Sequence, residues 1–222
     1  MQISQLPIFC INVKEHTERW SEVTEKFDHF HLTNVIQWNA CTPKDLSSKP
    51  YFCHPFLRNE LKACAVSHYT IWEKMVAEKI EMAIILEDDP CFHKDWITIL
   101  EKKLSTINKE DPYWDCILLN AYEVCLPINS WVRTTGNCCL GGYVLSLKGA
   151  TFLVEVFKNC LIVADGMSTR MQLRLHTYCY FPWLVIQKGE SSSLQPKEKL
   201  VEDRTKVDTL LEKYGFSRND YY

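Results

Sequence analysis

The sequence predicts a single α/β domain whose mostly parallel sheet is flanked by helices. Short apolar runs typical of buried strands alternate with longer helical segments, which favours parallel strands covered on both faces. At 222 residues the chain is long enough for one sizeable core. The apolar residues 83–86 end abruptly in three carboxylates, Glu87, Asp88 and Asp89. We expect this acidic cluster at the carboxyl edge of the sheet, where open α/β folds bind ligands.

The first half of the chain divides into alternating elements. Residues 16–27 have Trp20, Val23 and Phe27 on one helical stripe, and residues 41–57 carry the prolines of a loop. The predicted elements, in order, are a strand at 6–13, a helix at 16–27, a strand around 30–38, a helix at 58–79 and the acidic strand before Glu87.

The second half continues the alternation and ends in a charged segment. Its predicted elements are a helix at 94–107, strands at 114–120 and 139–147, helices at 148–157 and 167–178, and a strand at 181–187. Residues 188–199 are polar and predict a flexible loop. We therefore place the α/β domain at residues 1–199 and assign residues 200–222 to a charged surface helix with a frayed end.

Composition excludes several classes of partner. The net charge is −3 and the pI is near 6.2, so nucleic acid is not an expected partner. No apolar run approaches the length of a membrane span, and the first residues lack the basic start and apolar core of a signal peptide. We expect a cytoplasmic protein without an integral membrane segment, either free or peripheral at a membrane surface.

The eleven cysteines predict reduced thiols, because an odd number cannot all pair and most lie in apolar segments. Cys53 and His54, followed by Cys64 and His68 at helical spacing, form the best candidate for a structural zinc site. The sequence has no C-x-x-C pair to support it, so we expect no zinc.

The acidic triplet is the main chemical signal. Three adjacent negative charges repel one another, and a divalent cation such as Mn²⁺ or Mg²⁺ would stabilise them through hard oxygen ligands. The alternative is a solvated acidic turn. The first strand–helix turn carries no glycine-rich fingerprint, so a metal rather than a glycine loop would hold any bound phosphates.

Five pieces of the sequence, in order over residues 6–195, match the motifs of one enzyme family. They are residues 9–14 with Glu18 and Arg19, residues 60–68 (E-L-K-A-C-A-V-S-H), residues 85–89 (I-L-E-D-D), residues 142–150, and Asp165 followed by residues 182–187 and the serines at 191–193. Together they resemble glycosyltransferase family 25. Two departures stand out. Asn59 precedes Glu60 where the family has glycine, and residues 188–194 read K-G-E-S-S-S-L rather than a clear S-D-I.

The resemblance implies a GT-A fold, a nucleotide-sugar donor and inversion at the anomeric carbon. The family includes bacterial lipooligosaccharide sugar transferases and domains that galactosylate collagen hydroxylysine. The expected reaction is metal-dependent transfer of a hexose, galactose or glucose, from a UDP-sugar to a hydroxyl of a glycan, lipooligosaccharide or protein. The rival interpretations are a catalytically inactive family member that acts as a binding or scaffold protein, and a metal-dependent phosphotransferase or nuclease.

The resemblance also suggests roles for the acidic residues in this DxD-like motif. Asp88 and Asp89 are assigned to the metal, and Glu87 to the donor sugar or ribose. Glu87 could instead be a buried hydrogen-bonding partner. Asp165 is the candidate catalytic base for the acceptor hydroxyl, and a helix N-cap is its structural alternative. Asp115 and Glu123 are weaker candidates for the base.

The remaining candidates would bind the donor. Arg19 could bind phosphate through its planar fork or form an ordinary surface ion pair, and His68 could be a ligand or a core histidine. Gln187 and the serines at 191–193 could close over the diphosphate or belong to a linker. The full donor-binding set is Ile11, Asn12, Arg19, Glu60, Ser67, His68, Glu87 and Gln187. Aromatic residues at 51–56, and Trp131, could stack against an acceptor sugar or lie in the core.

Overall fold

The computed structural model describes residues 2–190 and 196–222, which form an α/β fold. The strands are β1 (Ile8–Asn12), β2 (Val35–Asn39), β3 (Met82–Glu87), β4 (Pro90–Phe92), β5 (Trp114–Leu118), β6 (Trp131–Arg133), β7 (Gly142–Ser146), β8 (His176–Tyr180) and β9 (Val185–Gln187). The helices are α1 (Thr17–His29), α2 (Asn59–Glu78), α3 (Trp96–Glu110), α4 (Leu147–Phe157), α5 (Ala164–Gln172) and α6 (Lys197–Lys213).

Seven strands form the central sheet in the order β2-β1-β3-β7-β5-β8-β6. Strands β1, β2, β3, β5 and β8 point one way, while β7 and β6 run antiparallel to their neighbours. The predicted mostly parallel sheet is confirmed. Since β1 and β3 pair in parallel with Ile11 opposite Glu87, the end of β1 lies beside the acidic end of β3.

Helices cover both faces of this sheet, as the alternating pattern predicted. Side chains alternate along β3: Ala83 and Ile85 pack on the face covered by α2, α4 and α5, whereas Ile84 and Leu86 pack on the face covered by α1 and α3. The strand is therefore buried on both sides until Glu87. This explains why it is a continuous apolar run rather than an alternating one.

The C-terminal segment packs against the domain. Leu211 of α6 is fully buried with Phe181 and Trp183. The backbone of Tyr222 exchanges two hydrogen bonds of 2.9 Å with Phe92, and the Tyr221 hydroxyl donates to the Trp183 carbonyl at 2.8 Å. The predicted frayed end is therefore wrong, because these hydrogen bonds hold the last residues against the domain.

The predicted helix at 167–178 is wrong at its C-terminal end. Helix α5 stops at Gln172, and residues 176–180 form β8 between β5 and β6. This segment reads H-T-Y-C-Y, whose β-branched and aromatic residues favour a strand once neighbouring strands are available. The three-residue strands β4 and β6 were also not predicted, and β4 pairs with β9 in a separate two-stranded sheet.

The cysteines differ from the expectation at one pair. Cys125 and Cys179 form a disulfide, with their Cα atoms 6.8 Å apart, and the other nine cysteines are free. The prediction of thiols throughout is therefore wrong for these two. Strand β8 carries Cys179 to the loop that follows β5, a contact across 54 residues that no local spacing indicates. Among the described residues, no helix is long and apolar enough to cross a membrane.

Candidate active site

The three carboxylates lie where β3 leaves the sheet. Glu87 is the last residue of β3, and Asp88 and Asp89 form the turn into β4. Their side chains are only 26%, 10% and 17% exposed, respectively. The interpretation as a solvated acidic turn is therefore wrong. Each carboxylate is largely removed from water and depends on protein partners or a ligand for its hydrogen bonds.

Asp88 is bound by two residues from the first β-α unit. Asn12 Nδ2, at the end of β1, donates to Asp88 Oδ2 at 2.7 Å, and Arg19 of α1 forms an ion pair with Asp88. Arg19 also lies 3.8 Å from Asp89. Asn12 is fully buried and is itself oriented by Gln37, whose Nε2 donates to Asn12 Oδ1 at 2.9 Å. The structure thus places two predicted donor-site residues against the predicted metal ligands.

Asp89 is the carboxylate whose charge is least compensated. Loss of hydration on burial raises its pKa to about 7, and the negative charges of Glu87 and Asp88 act in the same direction. Arg19 and Lys26 oppose this rise without cancelling it. A bound cation would favour the ionised form of Asp89, so the electrostatics of this turn suit a positively charged ligand.

Glu87 is held between a helix and a strand. Gln187 Nε2, at the end of β9, donates to Glu87 Oε2 at 2.9 Å, and His68 Nε2 of α2 lies 3.6 Å from Glu87 Oε1. Gly141 leaves room for this arrangement. A Cβ atom there would lie 2.8 Å from Asn120 Nδ2 and 3.4 Å from the Gln187 amide. Gln187 and His68, both predicted for the donor site, therefore meet at Glu87.

His68 is fully buried on α2 and has a polar neighbour that the sequence analysis missed. Its Nδ1 lies 3.1 Å from the Tyr143 hydroxyl, which also accepts a hydrogen bond of 2.9 Å from Trp72 Nε1. The thiol of Cys64, one turn before His68, lies within 4.8 Å of the His68 ring and the Glu87 carboxylate. The helical spacing of Cys64, His68 and Trp72 was visible in the sequence, but their meeting with Tyr143 of β7 was not.

The other predicted donor-site residues are distributed differently. Ser67 accepts from the Cys41 backbone N–H and donates to the Ala63 carbonyl, each at 2.9 Å, so it anchors the loop after β2. Glu60 lies in the first turn of α2, about two helical turns before Ser67 and on the same face of the helix. Ile11 lies in β1 beside Glu87, with its side chain in the core.

Asp165, the candidate base, lies in the first turn of α5. The N-cap of this helix is Val163, so the N-cap alternative for Asp165 is wrong. The residue is accessible to solvent yet surrounded by protein. Loss of hydration is the largest cause that raises its pKa, followed by the negative charge of Glu87, while His68 lowers it. Asp165 therefore shares the electrostatic environment of Glu87 and His68.

The two weaker base candidates have other surroundings. Asp115 is buried near the start of β5, where it accepts from the His176 backbone N–H and pairs with Lys148, both at 3.0 Å. Glu123 is exposed in the loop after β5, and its backbone N–H donates to Asn137. By contrast, the pKa of Asp165 is raised by the nearby charge of Glu87.

A sequence profile of glycosyltransferase family 25, described as an LPS biosynthesis protein, matches residues 5–124. The chain belongs to glycosyltransferase family 25. The matched residues include β1, all of α2 and the acidic turn, and therefore Asn12, Arg19, His68 and Asp89. Asp165 and Gln187 lie beyond the matched residues, so their assignment to this site depends on the structure alone.

Several curated family 25 relatives are similar over part of their length. Procollagen galactosyltransferase 2 of Homo sapiens is 28% identical over 169 residues, which cover 66% of this chain and 27% of that protein. Procollagen galactosyltransferase 1 of Danio rerio is 30% identical over 53% of this chain and 21% of its own length. A probable inactive glycosyltransferase 25 family member 3 of Bos taurus is 30% identical over 47% and 19%. The chain thus spans about a quarter of the human relative.

One solved structure, a glycosyltransferase involved in glycosylation of the major capsid of PBCV-1, aligns with 90% of this chain and 98% of its own. The sequence identity is 10% and the TM-score 0.34, a similarity too low to carry an argument.

Two sets of donor atoms at this family 25 site could hold a metal. The oxygen atoms of Asp88 and Asp89, with Glu87 adjacent, are the hard ligands that Mn²⁺ and Mg²⁺ prefer. The raised pKa of Asp89 is consistent with this, because burial and negative neighbours there outweigh the positive charges of Arg19 and Lys26. The second set, Cys64 Sγ, His68 Nε2 and a Glu87 oxygen, lies within 4.8 Å and mixes soft and hard donors. Cys53 and His54, the other half of the zinc candidate, are not part of this group.

Proposed function

We propose that this chain is a metal-dependent, inverting hexosyltransferase that uses a UDP-sugar. The observation that carries the proposal is the set of contacts around the acidic turn, where Asp88, Asn12 and Arg19 converge from three elements at one edge of the sheet. A surface turn with no ligand would not require a buried asparagine and an arginine to hold its carboxylates. Family 25 membership supports glycosyl transfer as the reaction class.

On the donor side, Asp88 and Asp89 would hold Mn²⁺ or Mg²⁺. When bound, such an ion offsets the charge that develops on a departing diphosphate. Arg19 supports the same task from the protein, because its guanidinium lies between both aspartates and has a fork that suits phosphate oxygens. Glu87, fixed on one side by Gln187, would accept hydrogen bonds from ribose or sugar hydroxyls.

On the acceptor side, Asp165 would remove the proton from the attacking hydroxyl. Inversion requires the base to act from the face of the sugar opposite the leaving diphosphate. Asp165 belongs to α5 rather than to the acidic turn, yet its pKa responds to Glu87 and His68. Its raised pKa also makes it a stronger base than an ordinary aspartate.

The loop before α2 is the proposed acceptor surface. Phe52 is 62% and Phe56 91% exposed, and the His54 ring lies 5.6 Å from that of Phe56. Backbone hydrogen bonds of 2.8 and 2.9 Å tie His54 and Phe52 to Leu161, four residues before Asp165. Exposed aromatic rings on this loop could stack on an acceptor sugar. Trp131, by contrast, is half-buried against Tyr180.

The names of the relatives support a particular donor sugar and class of acceptor for the proposed reaction. Two are procollagen galactosyltransferases and the family is described by LPS biosynthesis, which supports galactose, with glucose as the other hexose. The acceptor would be a hydroxyl of a protein, a glycan or a lipooligosaccharide. We retain the cytoplasm, or its membrane surface, as the proposed location because nine cysteines are free thiols. The Cys125–Cys179 disulfide is the observation against it.

A donor-hydrolysis screen tests the proposal. UDP- and GDP-linked hexoses are incubated with the protein and Mn²⁺, with EDTA as the control, and release of the nucleoside diphosphate is measured. We expect turnover of a UDP-hexose that requires the metal. Equal turnover in EDTA would contradict the mechanism.

The rival function is a binding protein without catalytic activity, and one relative, from Bos taurus, is itself named a probable inactive glycosyltransferase. A donor that binds with Mn²⁺ but is never hydrolysed or transferred to any acceptor would favour this rival. Release of inorganic phosphate instead of a sugar would favour a phosphotransferase.

A further inference from the structure

A buried chain of three polar side chains leads from the core to Glu87. Trp72 Nε1 donates to the Tyr143 hydroxyl at 2.9 Å, Tyr143 lies 3.1 Å from His68 Nδ1, and His68 Nε2 lies 3.6 Å from Glu87 Oε1. The exposed fractions of Trp72, Tyr143 and His68 are 1% or less. We call these three residues the Trp72–Tyr143–His68 chain.

The sequence and the sheet register bring Trp72, Tyr143 and His68 together. His68 and Trp72 are four residues apart and so lie on one face of α2. Tyr143 of β7 is the cross-strand partner of Ile85 in β3. Because side chains two residues apart share a face of a strand, Tyr143 lies on the same face of the sheet as Glu87.

The direction of each hydrogen bond follows from the donors available. An indole N–H can only donate, so the Tyr143 oxygen accepts from Trp72. Tyr143 has one proton, which it can give to His68 Nδ1. A neutral imidazole that accepts at Nδ1 carries its proton on Nε2. Among the described residues, His68 Nε2 has no hydrogen-bond partner within bonding distance, and Glu87 Oε1 is the charged oxygen that it faces.

We propose that Trp72 and Tyr143 are positioning residues that fix the Nε2–H tautomer of His68 and thereby direct a donor at Glu87 Oε1. Gln187 holds the other oxygen, so the Glu87 carboxylate is oriented from both sides. This rests on the proposed function only in giving Glu87 a role with the donor. The tautomer of His68 does not depend on that role.

The competing interpretation is a metal on His68 Nε2, since Cys64 Sγ and Glu87 are also within 4.8 Å. A metal there would require the imidazole proton on Nδ1. Tyr143 would then have to accept from both Trp72 and His68. The two interpretations therefore predict opposite tautomers.

Nitrogen NMR of the ¹⁵N-histidine-labelled protein, at about pH 8 where an ordinary histidine is neutral, reports the tautomer directly. The seven histidines are separated by comparison with His68→Gln. We expect His68 to carry its proton on Nε2 in the wild type. In Tyr143→Phe we expect that His68 is no longer held in this one tautomer. Tyr69→Phe is the matched control, because the buried Tyr69 hydroxyl of α2 donates to the Val154 carbonyl instead. The Nδ1–H form in the wild type would overturn the proposal.

Two substitutions at His68 test the consequence for Glu87. The amide nitrogen of His68→Gln can reach the position of Nε2, whereas that of His68→Asn reaches only the position of Nδ1. We expect UDP-hexose hydrolysis to be about tenfold higher in the glutamine variant, as one hydrogen bond to a charged group would give. Equal rates, or a faster asparagine variant, would contradict the role.

The outcomes separate this inference from the proposed function. If Tyr143→Phe fails to fold, the wild-type spectrum and the comparison of His68→Gln with His68→Asn still test the proposal. If no donor is hydrolysed by any variant, the spectrum decides the tautomer while the proposed function alone fails.

Discussion

The proposed donor side and the proposed acceptor side of the candidate site are built differently. On the donor side, Glu87 and Asp88 are each held by protein partners, Gln187 and Asn12 among them. On the acceptor side, Phe56 projects into solvent and Asp165 is accessible at the start of a short helix. The donor side is preorganised, whereas the acceptor side is open.

This difference matches the two kinds of ligand that a sugar transferase must bind. A nucleoside diphosphate has fixed charges, and fixed carboxylates and an arginine can be placed for it in advance. An acceptor contributes mainly the apolar faces of rings and one hydroxyl, for which exposed aromatic side chains suffice.

The largest effect is expected on the donor side. Asp89→Ala should lower metal-dependent UDP-hexose hydrolysis by about 10³-fold, because it removes a ligand from the site of developing charge. Steady-state hydrolysis measures this, with circular dichroism as a check on the fold. Glu78→Ala, which alters an exposed carboxylate paired with Lys74, is the control and should be unaffected. Full activity in Asp89→Ala would refute its assignment to the metal.

The acceptor side should respond differently to Asp165→Asn. Transfer to an acceptor should fall by about 10²-fold or more through loss of the base. Hydrolysis of the donor should fall less, and the affinity for UDP should be kept. Glu123→Gln, the alternative base in an exposed loop, is the matched control. An equal loss of UDP affinity and transfer would place Asp165 on the donor side.

Transfer should also depend on pH through Asp165. Its pKa is raised by loss of hydration and by Glu87, and a base acts only when deprotonated. The rate should therefore fall as the pH drops through a value above the ordinary aspartate pKa of about 3.9. A pH–rate profile of the wild type should show this acid limb, and its persistence in Asp165→Asn would assign it to another group.

Asp89→Asn tests whether the donor side carries uncompensated charge. The pKa of Asp89 is raised to about 7, so its contribution to folding stability is present below the unfolded-state pKa and lost as the pH rises through 7. In EDTA at about pH 8, the asparagine variant should be more stable to urea by up to about 4 kcal/mol. The difference should shrink towards about pH 4. A less stable variant at the higher pH would contradict the account.

The smallest effect is expected at the acceptor loop. Phe56→Ala should raise the acceptor KM about fivefold, equivalent to about 1 kcal/mol of aromatic packing, and leave donor hydrolysis unchanged. Tyr113→Ala, which truncates a ring that is 66% exposed next to the start of β5, is the control. An unchanged KM would remove residues 51–57 from the acceptor surface.

Much of the donor side could be predicted from the sequence because its signals are local. The apolar run into Glu87, the end of β1 at Asn12 and the early position of Arg19 each follow from a strand meeting its loop. The parallel register then brings them together. Sheet topology thus converts short motifs into one site.

Contacts between distant segments could not be predicted in this way. Tyr143 reaches His68 only through the pairing of β7 with β3, and Cys125 reaches Cys179 only through the position of β8. The first three residues of β8 were predicted as helix, since five residues are too few for periodicity to decide. These are the parts of the molecule that depend on tertiary structure.

The most direct test of the central claim is calorimetric titration of UDP into the wild type and Asp89→Ala, each with Mn²⁺ and with EDTA. The account predicts that UDP binds the wild type tightly only when Mn²⁺ is present, and that the variant loses this metal-dependent gain. UDP binding of equal strength in EDTA, or an undiminished gain from Mn²⁺ in Asp89→Ala, would contradict the claim that the acidic end of β3 is the donor site.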